Sequence, residues 1–196
     1  MDSGSRQEIS FDRPITGRNK SFNNTLDGLF SLFKTPIVIV ETGCIRNDTE
    51  ESKFGDGWST VNWEYYAKKT DSSVYVVDID ENHLNKAKKV VSESAYVTYK
   101  QQDSIEFLKT FHRKIDFLFL DSYDYCGDEE NVRKSHVHQL NELKAVWDKL
   151  NNKCLILIDD VFNEQWDGKG KLSIPFLLEN GFKVLHFIDN QLLLIR

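Results

Sequence analysis

Acidic side chains recur at one kind of place in this chain: directly behind short apolar runs. Glu41 follows the run at 37–40, Asp78 the run at 74–77, Asp121 the run at 115–120, and the pair Asp159-Asp160 the run at 154–158. Asp103 stands close behind a fifth run at 96–101. Open parallel sheets bind ligands beyond the carboxyl ends of their strands, at the point where strand order reverses. A row of carboxylates at such an edge suits a ligand with paired hydroxyls and a positive centre.

The first run closes on Glu41-Thr42-Gly43, with a single glycine. A phosphate-binding turn would need G-x-G-x-x-G or a Walker loop, to bring several backbone amides against the anion. Neither is present, so the edge is rich in carboxylates and lacks a phosphate cradle. Asp78 can accept both hydroxyls of a ribose, with Asp80 as the second choice for that role. Gln102-Asp103-Ser104 offers an acid and a hydroxyl to the edge of a base, and Asp103 doubles as a helix N-cap.

The elements that must carry these residues alternate. Strands are expected at 37–41, 73–80, 96–101, 115–121 and 154–159, and helices at 81–92, 104–111, 132–150 and 171–180, the last ended by Gly181. Ser59 or Thr60 can cap a further helix through Val61, Tyr65 and Ala67. Leu26, Leu29, Phe30 and Phe33 keep helical spacing, which predicts a short amphipathic helix over 24–34. The stretch 45–56 is too polar and irregular for a core element and long for a βα connection; it is expected to be mobile and to order over a ligand. Two apolar runs around Asp189-Asn190 read as a hairpin. The expected fold is a single α/β domain with helices on both faces of a mostly parallel sheet. The boundaries are an arm and capping helix at 1–35 and the main domain at 36–196.

Composition sets limits. The chain has 196 residues, 40% hydrophobic and 29% charged, with a formal charge of −6. That balance speaks against a nucleic-acid surface, which carries a basic stripe. No run approaches the ~20 apolar residues of a membrane span, and the polar start lacks the apolar centre of a signal peptide. The three cysteines have no metal-type spacing and are odd in number, which fits a reduced chain in the cytoplasm. Oligomeric state is not readable.

Glu41-Thr42-Gly43, Val77-Asp78-Ile79-Asp80, Gln102-Asp103-Ser104, residues 116–121 and the terminal hairpin, in this order, resemble the class I S-adenosylmethionine-dependent methyltransferases. The resemblance covers about residues 36–196. It implies a Rossmann-like sheet of order 3-2-1-4-5-7-6 with strand 7 antiparallel. It also implies S-adenosylmethionine as cofactor, surrounded by Glu41, Thr42, Gly43, Ser59, Asp78, Ile79, Asp103, Ser104 and Asp121.

Asp121 with Asp159-Asp160 is similar to a narrower group, the metal-dependent O-methyltransferases of catechols and sugars. That likeness implies Mg²⁺ held by Asp121, Asp159 and Asp160, where a hard ion would orient a substrate's vicinal hydroxyls. The stretch 122–131 would then face the acceptor, with Tyr123 and Tyr125 stacking on its ring. Asp124 and His138 are candidate general bases beside Asp121, since imidazole titrates near neutral pH. His136 and His138 lie two apart, so at most one points inward; His83, His112 and His186 read as structural or exposed. The resulting expectation is methylation of a hydroxyl on a small acceptor, a sugar or glycan by preference. A nucleotide-cofactor oxidoreductase and a non-catalytic binding module are the alternatives.

Overall fold

A computed structural model of the chain describes residues 17–196. The part of the expected arm at 1–16 lies outside the described residues.

Seven strands form one sheet: β1 (Val38–Thr42), β2 (Ser73–Asp78), β3 (Val97–Gln101), β4 (Ile115–Leu120), β5 (Leu150–Ile158), β6 (Lys183–Ile188) and β7 (Gln191–Ile195). Their order is β3-β2-β1-β4-β5-β7-β6. β1 to β5 pair in parallel, whereas β7 runs antiparallel to both β5 and β6. This is the expected topology, and Asp189 and Asn190, both in the left-handed region, make the hairpin turn between β6 and β7.

Successive side chains on a strand point to opposite faces, and here the two faces are both apolar. Ile39, Phe117, Phe119, Leu155 and Leu157 face one layer of helices, built from α1 (Gly17–Leu32), α3 (Ser59–Thr70) and α4 (Glu81–Val91). Val38, Val40, Leu118, Leu120, Ile156 and Ile158 face the other, built from α5 (Ser104–Thr110), α6 (Glu129–Val146) and α7 (Ser173–Glu179). Central strands covered on both sides read as unbroken hydrophobic runs, which is why β1, β4 and β5 stand out in the sequence.

Two elements depart from expectation. α1 starts at Gly17, a full two turns before residue 24, and buries Phe22, Leu26 and Leu29 against Trp63 and Phe119. The edge of the Phe22 ring meets the Trp63 ring at a centroid distance of 5.5 Å. The helix is therefore part of the core layer. The stretch 45–56 contains α2 (Glu50–Gly55), whose N-cap Thr49 accepts a hydrogen bond from the Ser52 amide. Its polarity is that of a short capped surface helix, which alternation of apolar residues does not reveal.

Candidate active site

Hydrogen bonds continue the sheet past the strand ends and set the functional residues in a row. The Gly43 amide donates to Val77 O, Asp121 N to Thr42 O, Asp159 N to Leu120 O, and Gln102 N to Asp78 O, all between 2.9 and 3.2 Å. A cavity of about 350 Å³ opens along this row from the β3 side to Asp121. Among its lining residues are Gly43, Asp78, Ile79, Asp103, Ser104 and Asp121.

Asp78 points into the cavity. Its Oδ1 accepts the Asp80 amide at 2.8 Å, and its Oδ2 lies 3.4 Å from His83 Nδ1 and 3.5 Å from Cys44 Sγ. Asp80 is instead the N-cap of α4, accepting the Asn82 amide at 2.8 Å. His83, expected to be merely structural or exposed, lines the cavity on the first turn of α4. Its spacing of three from Asp80 brings the two side chains together, with Nε2 3.8 Å from Asp80 Oδ2. Burial, and after it the Asp78 carboxylate, pushes the Cys44 thiol up, so Cys44 stays a neutral thiol.

Asp103 caps α5, accepting the Glu106 amide at 3.0 Å, and also lines the cavity. Ser104 Oγ lies 3.0 Å from His138 Nε2. Two unusually exposed apolar side chains complete the wall: Ile79 is 71% exposed and Tyr123 is 38% exposed. The Tyr123 ring packs on His138 with centroids 5.2 Å apart. Tyr123 and His138 thus share a wall with Asp103 and Ser104, away from the acid pair after β5.

Glu41, Thr42 and Ser59 lie behind this cavity rather than in its wall. Glu41 has the parity of Ile39, so its side chain enters the α1–α3 layer. There its carboxylate accepts hydrogen bonds from Ser59 Oγ, from Thr60 Oγ1 at 2.7 Å and from Trp63 Nε1 at 3.2 Å. Burial pushes Glu41 up to about 8 against the opposing hydrogen bonds of Ser59 and Thr60. Thr42, fully buried, faces the opposite layer. Glu41 with Ser59, Thr60 and Trp63 forms a polar clamp that fixes α3 to the tip of β1.

The acids expected to hold Mg²⁺ do converge, but around cations of the protein itself. Lys169 Nζ lies 2.7 Å from Asp121 Oδ1 and 3.0 Å from Asp160 Oδ2, and Arg18 pairs with Asp159 and, at 3.4 Å, with Asp160 Oδ1. Burial raises Asp160, yet Lys169 and Arg18 outweigh it and hold Asp160 below the ordinary carboxylate range. Asp159 goes the other way: burial, and then the Asp121 charge, pushes it up against the pull of Arg18. Among the described residues no group of acids, histidines and cysteines is arranged to hold a metal ion. The site does not fit Mg²⁺, because the ammonium stands between the carboxylates that the ion would have to bridge at ~2.0–2.1 Å.

Lys169 gave no sign of this in the sequence, where it sits in the polar stretch Gly168-Lys169-Gly170-Lys171. The loop after β5 folds back through a bridge between Val161 and Gly168, and the Lys169 amide donates to Asp160 O at 3.0 Å. Gly168, at φ +107°, lies so close to Asp160 that an added Cβ would stand 1.8 Å from its carbonyl oxygen. Only glycine allows the approach that returns the lysine to the acids.

The remaining candidates separate. Asp124 is exposed and pairs with exposed Arg46 at the cavity rim. His138 sits 3.6 Å from Glu142 Oε1, a fully buried carboxylate that the sequence reading missed and that also accepts Ser122 Oγ at 2.6 Å. Burial opposes charging His138, but the Glu142 carboxylate outweighs it and raises the imidazole above its ordinary value. His136 stacks on Tyr125 instead, with ring centroids 5.7 Å apart. The stretch 45–56 is tied to its neighbours: Trp58 Nε1 donates to Asn47 O and Ser52 Oγ at 3.1 Å, and Lys86 Nζ to Arg46 O at 2.7 Å.

Residues 53–161 match the model of a family described as a methyltransferase domain; this is more than half of the 196 residues, and the chain belongs to that family. Solved structures share the fold. The Podospora anserina methyltransferase with bound S-adenosylhomocysteine gives a TM-score of 0.62 at 16% identity, over 90% of this chain and 76% of its own. Magnesium protoporphyrin IX methyltransferase from Synechocystis, with bound S-adenosylmethionine, gives 0.58 at 15% identity, over 92% and 80%. The N-methyltransferase NodS from Bradyrhizobium japonicum gives 0.56 at 12% identity, over 91% and 93%. No curated protein matches the chain in sequence. Among the described residues no helix is long and apolar enough to cross a membrane.

Proposed function

We propose that the chain is an S-adenosylmethionine-dependent O-methyltransferase acting on a small polyhydroxylated acceptor, a sugar or glycan by preference. The observation that carries this is the order of groups along the strand-tip cavity. Asp78 stands at the end of β2 with the geometry to accept a ribose diol, and Ile79 and Tyr123 offer two apolar plates for a flat base. Asp103 and Ser104 lie beside them for the base's polar edge. A volume of about 350 Å³ lies in the range of small-molecule sites. These residues fit the cofactor; Glu41 and Thr42 lie one layer behind, and Ser59 lines a neighbouring hollow.

The cofactor supplies an electrophilic methyl group on a sulfonium. What the protein must add is an acceptor oxygen held in line and relieved of its proton. Asp121, together with Cys44 and Arg46, lines both the cavity and a neighbouring polar hollow that Trp58, Asp159 and Asp160 also line, and it is the one carboxylate common to the two. In this reading the acceptor's reacting hydroxyl reaches into that hollow, which holds only about 50 Å³, while Trp58 and Arg46 at its edge meet the rest of the acceptor. Asp121, steadied by Lys169, would accept the hydroxyl proton as the acceptor oxygen takes the methyl carbon and the carbon–sulfur bond breaks, with S-adenosylhomocysteine as the leaving group. His138 belongs to the cofactor side, where it orients Ser104 and Tyr123, and Asp124 to the rim.

The test is calorimetric titration with S-adenosylhomocysteine, followed by a methyl-transfer screen against sugars, phenols and amines. Binding together with transfer to a polyol is the expected result. Tight binding with transfer only to nitrogen acceptors would remove the O-methyl assignment, and binding without any turnover would favour a ligand-binding module.

A further inference from the structure

We infer that Lys169 and Arg18 are the permanent counter-ions of the Asp121–Asp159–Asp160 centre, so that a protein ammonium and guanidinium stand there in place of a divalent ion. This goes beyond the proposed reaction and holds whatever the acceptor is.

The acid pair and Lys169 are already saturated by one another, by Arg18 and by Asp121. Asp159 accepts Arg18 at Oδ2 and the Asp160 amide, at 2.9 Å, at Oδ1. Asp160 offers Oδ1 to Arg18 and Oδ2 to Lys169, and Asp121 gives Oδ1 to Lys169. Both oxygens of the acid pair are therefore engaged. Lys169 is saturated as well: a third contact, at 3.4 Å, runs from Nζ to the Asp121 carbonyl, matching the three donors of an ammonium.

Lys169 also has nowhere to go. It is 1% exposed, and its backbone is fixed by the hydrogen bond to Asp160 O and by the Val161–Gly168 bridge. A buried ammonium must keep its carboxylate partners or lose its charge. A divalent ion entering between Asp121 and Asp160 would have to displace the very charge that those acids solvate. Arg18 reinforces the arrangement from α1, an element distant in sequence from both acids. Lys169 is thus a positioning residue: it fixes the Asp121 carboxylate at the cavity wall without entering the cavity.

The full chain, free of cofactor and acceptor, should be titrated with Mn²⁺ and followed by calorimetry and by the electron paramagnetic resonance of the free ion. The wild type is expected to show no saturable binding into the millimolar range. Lys169→Ala, with its fold checked by circular dichroism, is expected to gain a Mn²⁺ site at least about tenfold tighter than anything in the wild type. Saturable micromolar binding to the wild type, lost in Asp160→Asn, would overturn the inference, and so would a folded Lys169→Ala that gains no site. Should Lys169→Ala not fold, the wild-type titration decides alone. None of these readouts depends on methyl transfer, so failure here leaves the proposed reaction standing, and the reverse also holds.

Discussion

Gly43 rests directly on the backbone of Asp121: a Cβ added to Gly43 would stand 2.5 Å from the Asp121 carbonyl oxygen, and Gly43 itself has φ +77°. The one glycine of the first motif is therefore a joint between the tips of β1 and β4, not part of a phosphate-binding turn. Gly43→Ala combines backbone strain with a clash against main chain, which costs about 1–3 kcal/mol. Thermal unfolding should show a drop of about 2–10 °C, together with weaker S-adenosylhomocysteine binding. An unshifted melting point would mean that the two strand tips can separate freely.

Asp78→Ala removes a charge-assisted acceptor from the proposed ribose position. S-adenosylhomocysteine affinity should fall by about 1.5–3 kcal/mol by calorimetry. Asp80→Ala, which takes away a helix cap and a 3.8 Å contact with His83 but no group lining the cavity, should leave that affinity nearly unchanged while lowering stability by about 1 kcal/mol. Equal losses of affinity in the two variants would count against Asp78 as the ligand.

Asp121 and His138 can be told apart by kinetics. Asp121→Asn removes the proposed proton acceptor and should lower kcat by about a hundredfold or more, with cofactor affinity little changed. His138→Ala disturbs Ser104 and Tyr123 and should instead raise the KM for the cofactor. The opposite split would make His138 the base.

Glu41 supplies a pH dependence of known sign. It is raised from its ordinary 4.5 to about 8 by burial. Between those values the folded chain holds a proton that the unfolded chain has released, so stability falls as pH rises, by about 1.4 kcal/mol per pH unit at most. The contribution is complete below about 4.5 and gone above about 8. Asp159, also raised, adds a slope of the same sign. Denaturant titrations of the wild type and of Glu41→Gln across this range should therefore diverge, the variant showing the shallower fall. Parallel curves would show that Glu41 is ionised in the folded chain.

The sheet was legible because burial on both faces leaves uninterrupted runs such as 117–120 and 154–158, and because turn residues separate them. The site was legible only where a side chain's direction follows from its strand-end position, as for Asp78. Glu41 shows the boundary. An acid at a strand tip serves the cavity or the layer behind it according to parity, and Ile39 two residues earlier already carried that information. Lys169 was beyond reach: its partner Asp121 lies 48 residues away and its own neighbours are polar. No local pattern distinguishes a solvated lysine from one that a glycine-permitted turn carries into the interior. Arg18 was hidden for a similar reason, since the apolar spacing that announces α1 begins only after it.

The Arg46–Asp124 pair joins the loop after β1 to the loop after β4 at the cavity rim, and both partners are largely exposed. Exposed pairs of this kind contribute at most about 1 kcal/mol and weaken as salt is added. The rim is consequently sensitive to ionic strength while the buried centre of Lys169 and its acids is not. Raising salt should speed ligand exchange through the opening without loosening the floor, so the rate of access and the geometry of the chemistry answer to different properties of the solvent.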